Sequence, residues 1–315
     1  VRTHLGALVG LVILLPGLVV AQGGGRFVFT EPHMGTQFRI AVLSADSIRA
    51  QKGADAAFAR VETLNGRLSD YLSDSEVNRL SAAAGTGRSI PVSDDLWAVL
   101  VAAQRMARDT GGLFDPTIGP LTRLWRWASR RGILPPPEAR EQAQARTGYE
   151  DLVLDAENQT AYLRKHGMRV DLGGIAKGFA ADEALSILVD HGLPDAVVDA
   201  GGDVALGEHA VWPITLADSV VHLSGCGIAV SGATYRYVEH EGMRYSHILD
   251  PRTGLGVTHQ RTVAVIAPTA MEADALASAA SVMNERELQH YNVCQGLAQR
   301  CINACLGGEV GIITW

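Results

Sequence analysis

The sequence predicts an α+β fold in a single domain, and three observations carry that reading. Strand-like and helix-like segments are mixed without the regular βα alternation of a doubly wound sheet. The 315 residues could hold one large domain or two ordinary ones, but no internal repeat or low-complexity linker divides them. The glycine fingerprints that open a dinucleotide-binding helix or a P-loop are absent, as are H-E-x-x-H and G-x-S-x-G.

The elements follow from local patterns. Arg2 and His4 precede an apolar run, Leu5 to Val20, that ends Val19-Val20-Ala21. Residues 1–21 therefore read as a signal peptide, with Gln22 to Gly25 as a flexible spacer. The run falls short of the roughly 20 residues a membrane span needs. The mature protein is expected to be exported, with membrane association only if this segment stays uncleaved. Residues 22–315 then form the domain. Alternation from Thr36 to Leu43 predicts its first strand. Ala54, Ala57, Phe58, Val61, Leu64 and Leu68 repeat at helical spacing. Ser93-Asp94-Asp95 caps a second helix bearing Leu96, Val99, Leu100 and Ala103, which Gly111-Gly112 ends. Pro135-Pro136-Pro137 marks a surface loop. Leu152–Leu154 and Thr160–Leu163 suggest a hairpin, and Ile175–His191 a helix closed by Gly192. Val197-Val198 leads into Gly201-Gly202. Further strands are expected at Gly227–Val230, Tyr245–Leu249 and Thr262–Ile266, and a last helix at Met271–Met283.

Composition narrows the function. The chain is 47% apolar and 19% charged, enough to bury a full core. Its net charge of −7 argues against nucleic acid as a partner. The 34 glycines imply many tight turns or close approaches of backbone to a ligand. Only three lysines occur, Lys52, Lys165 and Lys177, so each invites a reason. The four cysteines form no C-x-x-C pair, which removes support for a zinc ribbon or thioredoxin-like site. Cys294, Cys301 and Cys305 have helix-face spacing suited to packing, with a disulfide left open in an oxidising compartment.

Several segments could carry chemistry. In Asp171-Leu172-Gly173-Gly174-Ile175-Ala176-Lys177-Gly178 a strand ends, a Gly-Gly turn follows and a helix begins. Such a turn offers N–H groups to an anion. Lys177 opposes the helix dipole there, which makes sense if it faces a phosphate; a solvated lysine is the plain alternative. Asp274 and Ser278 lie four residues apart on one helix face, a hard-oxygen pair suited to Mg²⁺ or to a simple hydrogen bond. Tyr245-Ser246-His247-Ile248-Leu249-Asp250-Pro251-Arg252-Thr253-Gly254 runs into a type I turn that explains Asp250 but not His247 or Arg252. Gly111-Gly112-Leu113-Phe114-Asp115-Pro116 and Asp199-Ala200-Gly201-Gly202-Asp203 each set carboxylates beside permissive backbone.

Taken in order from Met34-Gly35-Thr36 to Ala273–Ser278, these segments resemble the ApbE family of FAD:protein FMN transferases over about residues 30 to 283. The resemblance implies a single ApbE-like catalytic domain in the periplasm. It implies Mg²⁺-dependent transfer of FMN from FAD to a Ser or Thr of an acceptor flavoprotein, releasing AMP. Met34, Tyr71 and Leu113-Phe114-Asp115 would line the flavin nucleotide site, with Asp171 and Lys177 contacting FAD. Asp274, Ser278 and the carbonyl near Gly174 would hold Mg²⁺. His247 and Ile248 would sit at the substrate, and His247 and Asp171 are the candidates for the catalytic step. A histidine titrates near neutrality, but an acidic residue could also serve as base. The alternatives are a Mg²⁺-dependent FAD pyrophosphatase and a non-catalytic periplasmic FAD-binding protein.

Three departures from the family stand out. Ser278 replaces a usual Thr but keeps the hydroxyl. Ser231-Gly232-Ala233-Thr234-Tyr235 replaces Ser-Gly-Asp-Tyr, removing a carboxylate and placing the Thr234 hydroxyl as a candidate for self-modification. The stretch 284–315 does not resemble the family's closing helix and strand.

Overall fold

Strands that are apolar at nearly every position, such as Thr262–Ala267, build the centre of this protein. The structure, a computed structural model, describes residues 25–216, 219–232, 237–289, 293–295 (backbone only) and 310–314. Residues 1–24, the 233–235 stretch with Thr234, and Cys301 and Cys305 lie outside the described residues.

The first half runs β1 (Gly25–His33), β2 (Thr36–Ser44), α1 (Ser47–Leu68), α2 (Glu76–Ala82), β3 (Ile90–Pro91), α3 (Asp94–Asp109), α4 (Gly119–Ser129), α5 (Pro137–Gln144), β4 (Leu152–Asp155) and β5 (Thr160–Leu163). The second half continues with α6 (Ala176–Asp190), β6 (Ala196–Asp199), β7 (Asp203–Leu206), β8 (Trp212–Leu216), β9 (Ser219–Leu223), β10 (Gly227–Gly232), β11 (Tyr237–His240), β12 (Met243–Ser246), β13 (Leu249–Asp250) and β14 (Leu255–Gly256). It closes with β15 (Thr262–Ala267), α7 (Ala270–Ala280), α8 (Glu285–Leu288), β16 (Val293–Gln295) and β17 (Gly311–Thr314). The α+β class stands.

Eight strands form the main sheet in the order β1-β2-β6-β7-β10-β15-β17-β16. Every pair is antiparallel except β16 with β17. Side chains alternate across it because the strand period is two. Ile40, Val42, Val198, Ala205, Ala229, Val263, Val265 and Ile312 join the core under the helices. Ala41, Val197, Val204, Leu206, Ile228, Ala264, Ile266 and Ile313 join a second core with Trp212, Ile214 and Leu223 of the β8–β9 hairpin. The sheet is thus covered on both faces. A third cluster sets Leu121 and Trp125 of α4 against Ala143, Val238 and Leu249. Among the described residues no helix is long and apolar enough to cross a membrane.

The differences from the sequence reading have local causes. Gly25, expected in a spacer, opens β1, which pairs with β2 along its whole length. Helix α1 begins before its apolar repeat because the Asp46 side chain accepts from the N–H groups of Ile48 and Arg49 at 3.0 Å. Pro137 starts α5 instead of extending a loop, as suits a residue whose missing N–H is not needed in a first turn. The strand expected over Tyr245–Leu249 is broken: the Ser246 hydroxyl accepts from the Ile248 N–H at 3.2 Å, and β12 stops there. Beyond Met283, α8 opens with a reciprocal Asn284–Glu287 capping box, and β17 adds to β15.

Candidate active site

The chemistry-bearing residues converge because turns, not regular elements, bring them there. One cleft of about 1170 Å³ is lined by Met34, Tyr71, Leu113, Phe114, Asp115, Asp171, Gly174, Lys177, His247, Ile248, Asp274 and Ser278. All twelve residues singled out in the sequence therefore share one cavity. Met34 stands at the β1–β2 turn with a positive φ of 49°. His247 and Ile248 reach the cleft because they occupy the break between β12 and β13.

The floor is built around α6 and α7. Gly178, in the first turn of α6, touches the start of α7: a Cβ there would lie 2.2 Å from the Ala270 carbonyl oxygen. This contact brings Asp274 of α7 against α6, where its Oδ2 accepts from the Gly178 N–H at 3.2 Å. Helix α7 is held from its own end too. The Thr269 hydroxyl accepts from the Glu272 N–H, and the Asp182 carboxylate of α6 accepts from the N–H groups of Ala270 and Met271 at 2.9 Å. Burial pushes the Asp182 carboxyl up to about 6 against those two donors. One turn on from Asp274, Ser278 packs on the Gly-Gly turn, where a Cβ on Gly174 would lie 2.5 Å from the Ser278 hydroxyl.

Lys177 lines the cleft and is not the solvated lysine of the plain alternative. Its ammonium is ion-paired with Asp203 of β7 and lies 3.6 Å from Asp274 Oδ2. Burial would lower its pKa, but Asp203 and then Asp274 outweigh burial and hold it above the ordinary lysine value. Burial, and next the charge of Asp203, push the Asp274 carboxyl up to about 7 against the pull of Lys177. The floor thus carries two buried carboxyl groups around one ammonium.

The opposite wall centres on Asp171. Its Oδ1 accepts from the Gly173 N–H at 2.9 Å, and its Oδ2 lies 3.5 Å from Arg126 Nη2. Burial raises its pKa, helped by the nearby charge of Asp70 and opposed by Arg126. Arg126 also donates to Asp70 at 2.5 Å and stacks over the Tyr71 ring at 4.1 Å from its centroid. Tyr71 is 74% exposed, so one face of its ring is covered by Arg126 while much of the side chain meets solvent. Asp115 is more committed than the sequence implied: its Oδ1 accepts from both the N–H and the hydroxyl of Thr117 at 2.7 Å. Burial raises its pKa despite those donors. Arg252 pairs with Asp250 and Glu287, which supplies the reason the sequence left open.

Sequence reasoning missed Arg126 and the pairing of Asp203. Ile118, Thr122 and Arg126 follow at i, i+4 and i+8 down the cleft side of α4, a signal that local spacing could have revealed. Asp203 meets Lys177 across 26 positions, which no periodicity reports.

Among the described residues no group of three or more His, Cys, Asp or Glu could hold a metal ion. One carboxylate, one hydroxyl and a backbone carbonyl remain at Asp274, Ser278 and Gly174. Such a sparse oxygen set suits Mg²⁺, which keeps waters and phosphate oxygens as its other ligands.

The ApbE family model matches residues 34–299. A relative from Klebsiella pneumoniae (strain 342), named FAD:protein FMN transferase, is 30% identical, covering 93% of this chain and 90% of its own. A protein of the same name from Treponema pallidum (strain Nichols) is 32% identical, over 87% of this chain and 84% of its own. The crystal structure of the ApbE protein from Thermotoga maritima superposes with a TM-score of 0.76 at 29% identity, covering 91% of this chain and 93% of that one. The apo flavinyl transferase ApbE from Pseudomonas stutzeri gives 0.76 at 30% identity, covering 84% and 87%.

Proposed function

The chain belongs to the ApbE family, and from that premise we propose that it transfers FMN from FAD to a Ser or Thr hydroxyl of an acceptor flavoprotein, releasing AMP. The observation that carries this reading is the convergence of twelve residues from distant segments on one cleft of about 1170 Å³. That space accommodates an extended dinucleotide, somewhat above the range usual for smaller ligands.

In this reaction the acceptor oxygen forms a bond to the FMN-side phosphorus, the bridging P–O bond breaks, and AMP departs with the bridging oxygen. Asp274, Ser278 and the Gly174 carbonyl would hold Mg²⁺, which neutralises charge on the pyrophosphate when bound. The chain's own residues do the rest. Lys177 keeps Asp203 and Asp274 together on the floor. Asp171 has its oxygens engaged by Gly173 and Arg126, so it braces the Gly-Gly turn. His247, exposed on the cleft wall, is the candidate to accept the acceptor hydroxyl's proton. Tyr71, fixed from behind by Arg126, offers an aromatic surface to the flavin nucleotide. The apolar run before Ala21 supports export to the periplasm, which N-terminal sequencing of the mature protein tests.

The deciding experiment incubates the protein with FAD, Mg²⁺ and threonine-bearing acceptor proteins, then measures AMP and protein-bound flavin. Both products support transfer. AMP alone establishes a pyrophosphatase instead. Neither product, with FAD still bound, leaves a binding protein.

A further inference from the structure

Helix α4 has three long sides, and each meets different surroundings. Leu121, Trp125 and Ala128 are buried. Thr122 and Arg126 face the cleft. The remaining side carries Arg123 and Trp127 and continues past the helix end into Arg130 and Arg131, all four exposed. Spacings of four, three and four keep them on one ridge, one position round from the cleft wall. Trp127 is 38% exposed, with the Arg131 guanidinium over its ring at 4.5 Å from the centroid. Arg131 Nη1 also donates to the Trp127 carbonyl at 3.2 Å, so the stack is fixed at both ends. Ile133, 41% exposed, extends the apolar part.

The charge on this ridge is unbalanced. Arg126 is ion-paired with Asp70 and Asp171. Among the described residues Arg123, Arg130 and Arg131 have no carboxylate within ion-pair reach. A chain of net charge −7 therefore presents a concentrated basic and aromatic strip on the side of α4 next to the one that lines its cleft through Thr122 and Arg126. Trp and Arg are the residues that most often anchor protein interfaces.

We propose that the Arg123–Trp127–Arg130–Arg131 ridge docks an acidic segment of the acceptor protein beside its modified hydroxyl. The inference rests on the flavin-transfer reading and names what that reading leaves open, the chemistry of the partner. An acceptor must bring its hydroxyl to the mouth of the cleft, so it must cover what borders that mouth. Opposite charge there speeds encounter and selects the partner. A strip facing anionic lipid would not need to adjoin the cleft.

The test uses two labelled peptides of equal length, each with one threonine, flanked by Asp and Glu in one and by Lys and Arg in the other. Binding is followed by fluorescence anisotropy at low and high salt. The acidic peptide is expected to bind, to weaken with salt, and to lose at least tenfold in affinity in the double variant Arg130→Gln/Arg131→Gln. AMP release from FAD without acceptor should be unchanged in that variant, which also shows that it folds. Equal binding of the two peptides, or equal affinity in the variant, overturns the proposal. So does a variant that loses only binding to phosphatidylglycerol vesicles. If wild-type protein releases no AMP and transfers no FMN, the flavin-transfer reading fails instead, whatever the peptides do.

Discussion

Replacing Lys177 by Met removes the one ammonium between two buried carboxylates, and the cost follows from the geometry. The longer of its two contacts is 3.6 Å, to Asp274. At an effective dielectric of ~20 that attraction is worth about 5 kcal/mol, and the closer contact with Asp203 adds to it. Desolvation of the ammonium offsets much of this sum. Its removal leaves two buried carboxyl groups without their cation; Asp274, its carboxyl already at about 7 beside Lys177, then takes up a proton, and breaking the buried pair costs up to about 3–5 kcal/mol. The assay is urea unfolding at pH 7.5 in EDTA, followed by tryptophan fluorescence. Lys177→Met should lose that amount, and Lys177→Met/Asp203→Asn should recover at least about 2 kcal/mol of it, because neighbouring charges couple. A loss below about 1 kcal/mol, or a double variant no more stable than Lys177→Met, would refute the reasoning. It would favour the plain alternative of a solvated lysine.

Other consequences can be measured directly. Asp274→Ala should abolish Mg²⁺-dependent AMP release, while Ser278→Thr keeps it and Ser278→Ala, losing a neutral ligand, is milder; Mg²⁺ titrations of the rate check this. Gly178→Ala should lower stability by about 1–3 kcal/mol or more, since its Cβ meets the Ala270 backbone, and thermal unfolding reads the loss. Gly174→Ala meets the movable Ser278 hydroxyl, so it should unfold near the wild-type temperature but need more Mg²⁺ for the same rate. Asp182 has its carboxyl raised from 3.8 to about 6, so the stability it confers is complete below pH ~4 and lost as pH rises through 6. The stability difference between wild type and Asp182→Asn should therefore move by about 2.4 kcal/mol between pH 4 and 7, in the direction of a relatively weaker wild type. A flat difference across that range would remove Asp182 from the titration.

The candidate site was more legible in the sequence than the sheet that carries it. Glycine turns and short carboxylate or hydroxyl motifs are local, so Asp171–Gly178 and the Asp274–Ser278 face could be singled out from spacing as candidates, whereas His247 and Ile248 are tied to the site only by the resemblance to the ApbE family. Their meeting in one cleft follows from pairings that spacing does not report, such as β2 beside β6. Strand β1 escaped notice because it begins inside a glycine run that resembles a spacer. The β8–β9 hairpin escaped because its apolar face answers a second core on the far side of the sheet. The partners of Lys177 went unread for a related reason. A lysine in a first helical turn looks exposed until Asp203 and Asp274 arrive from distant strands and helices.

That separation along the chain governs when the cleft can exist. Met34 is among the first residues of the domain to be synthesised, whereas Val282, on the same cavity wall, comes near its end. A nascent chain released up to α6 carries Lys177 with neither counter-charge, and one released up to β10 still lacks Asp274. Sheets assembled from such remote partners close late and slowly, since loop closure precedes the contacts that reward it. No growing intermediate short of α7 contains the full floor of the cleft. On the flavin-transfer reading, nucleotide capture therefore waits until α7 has been made and has packed on α6.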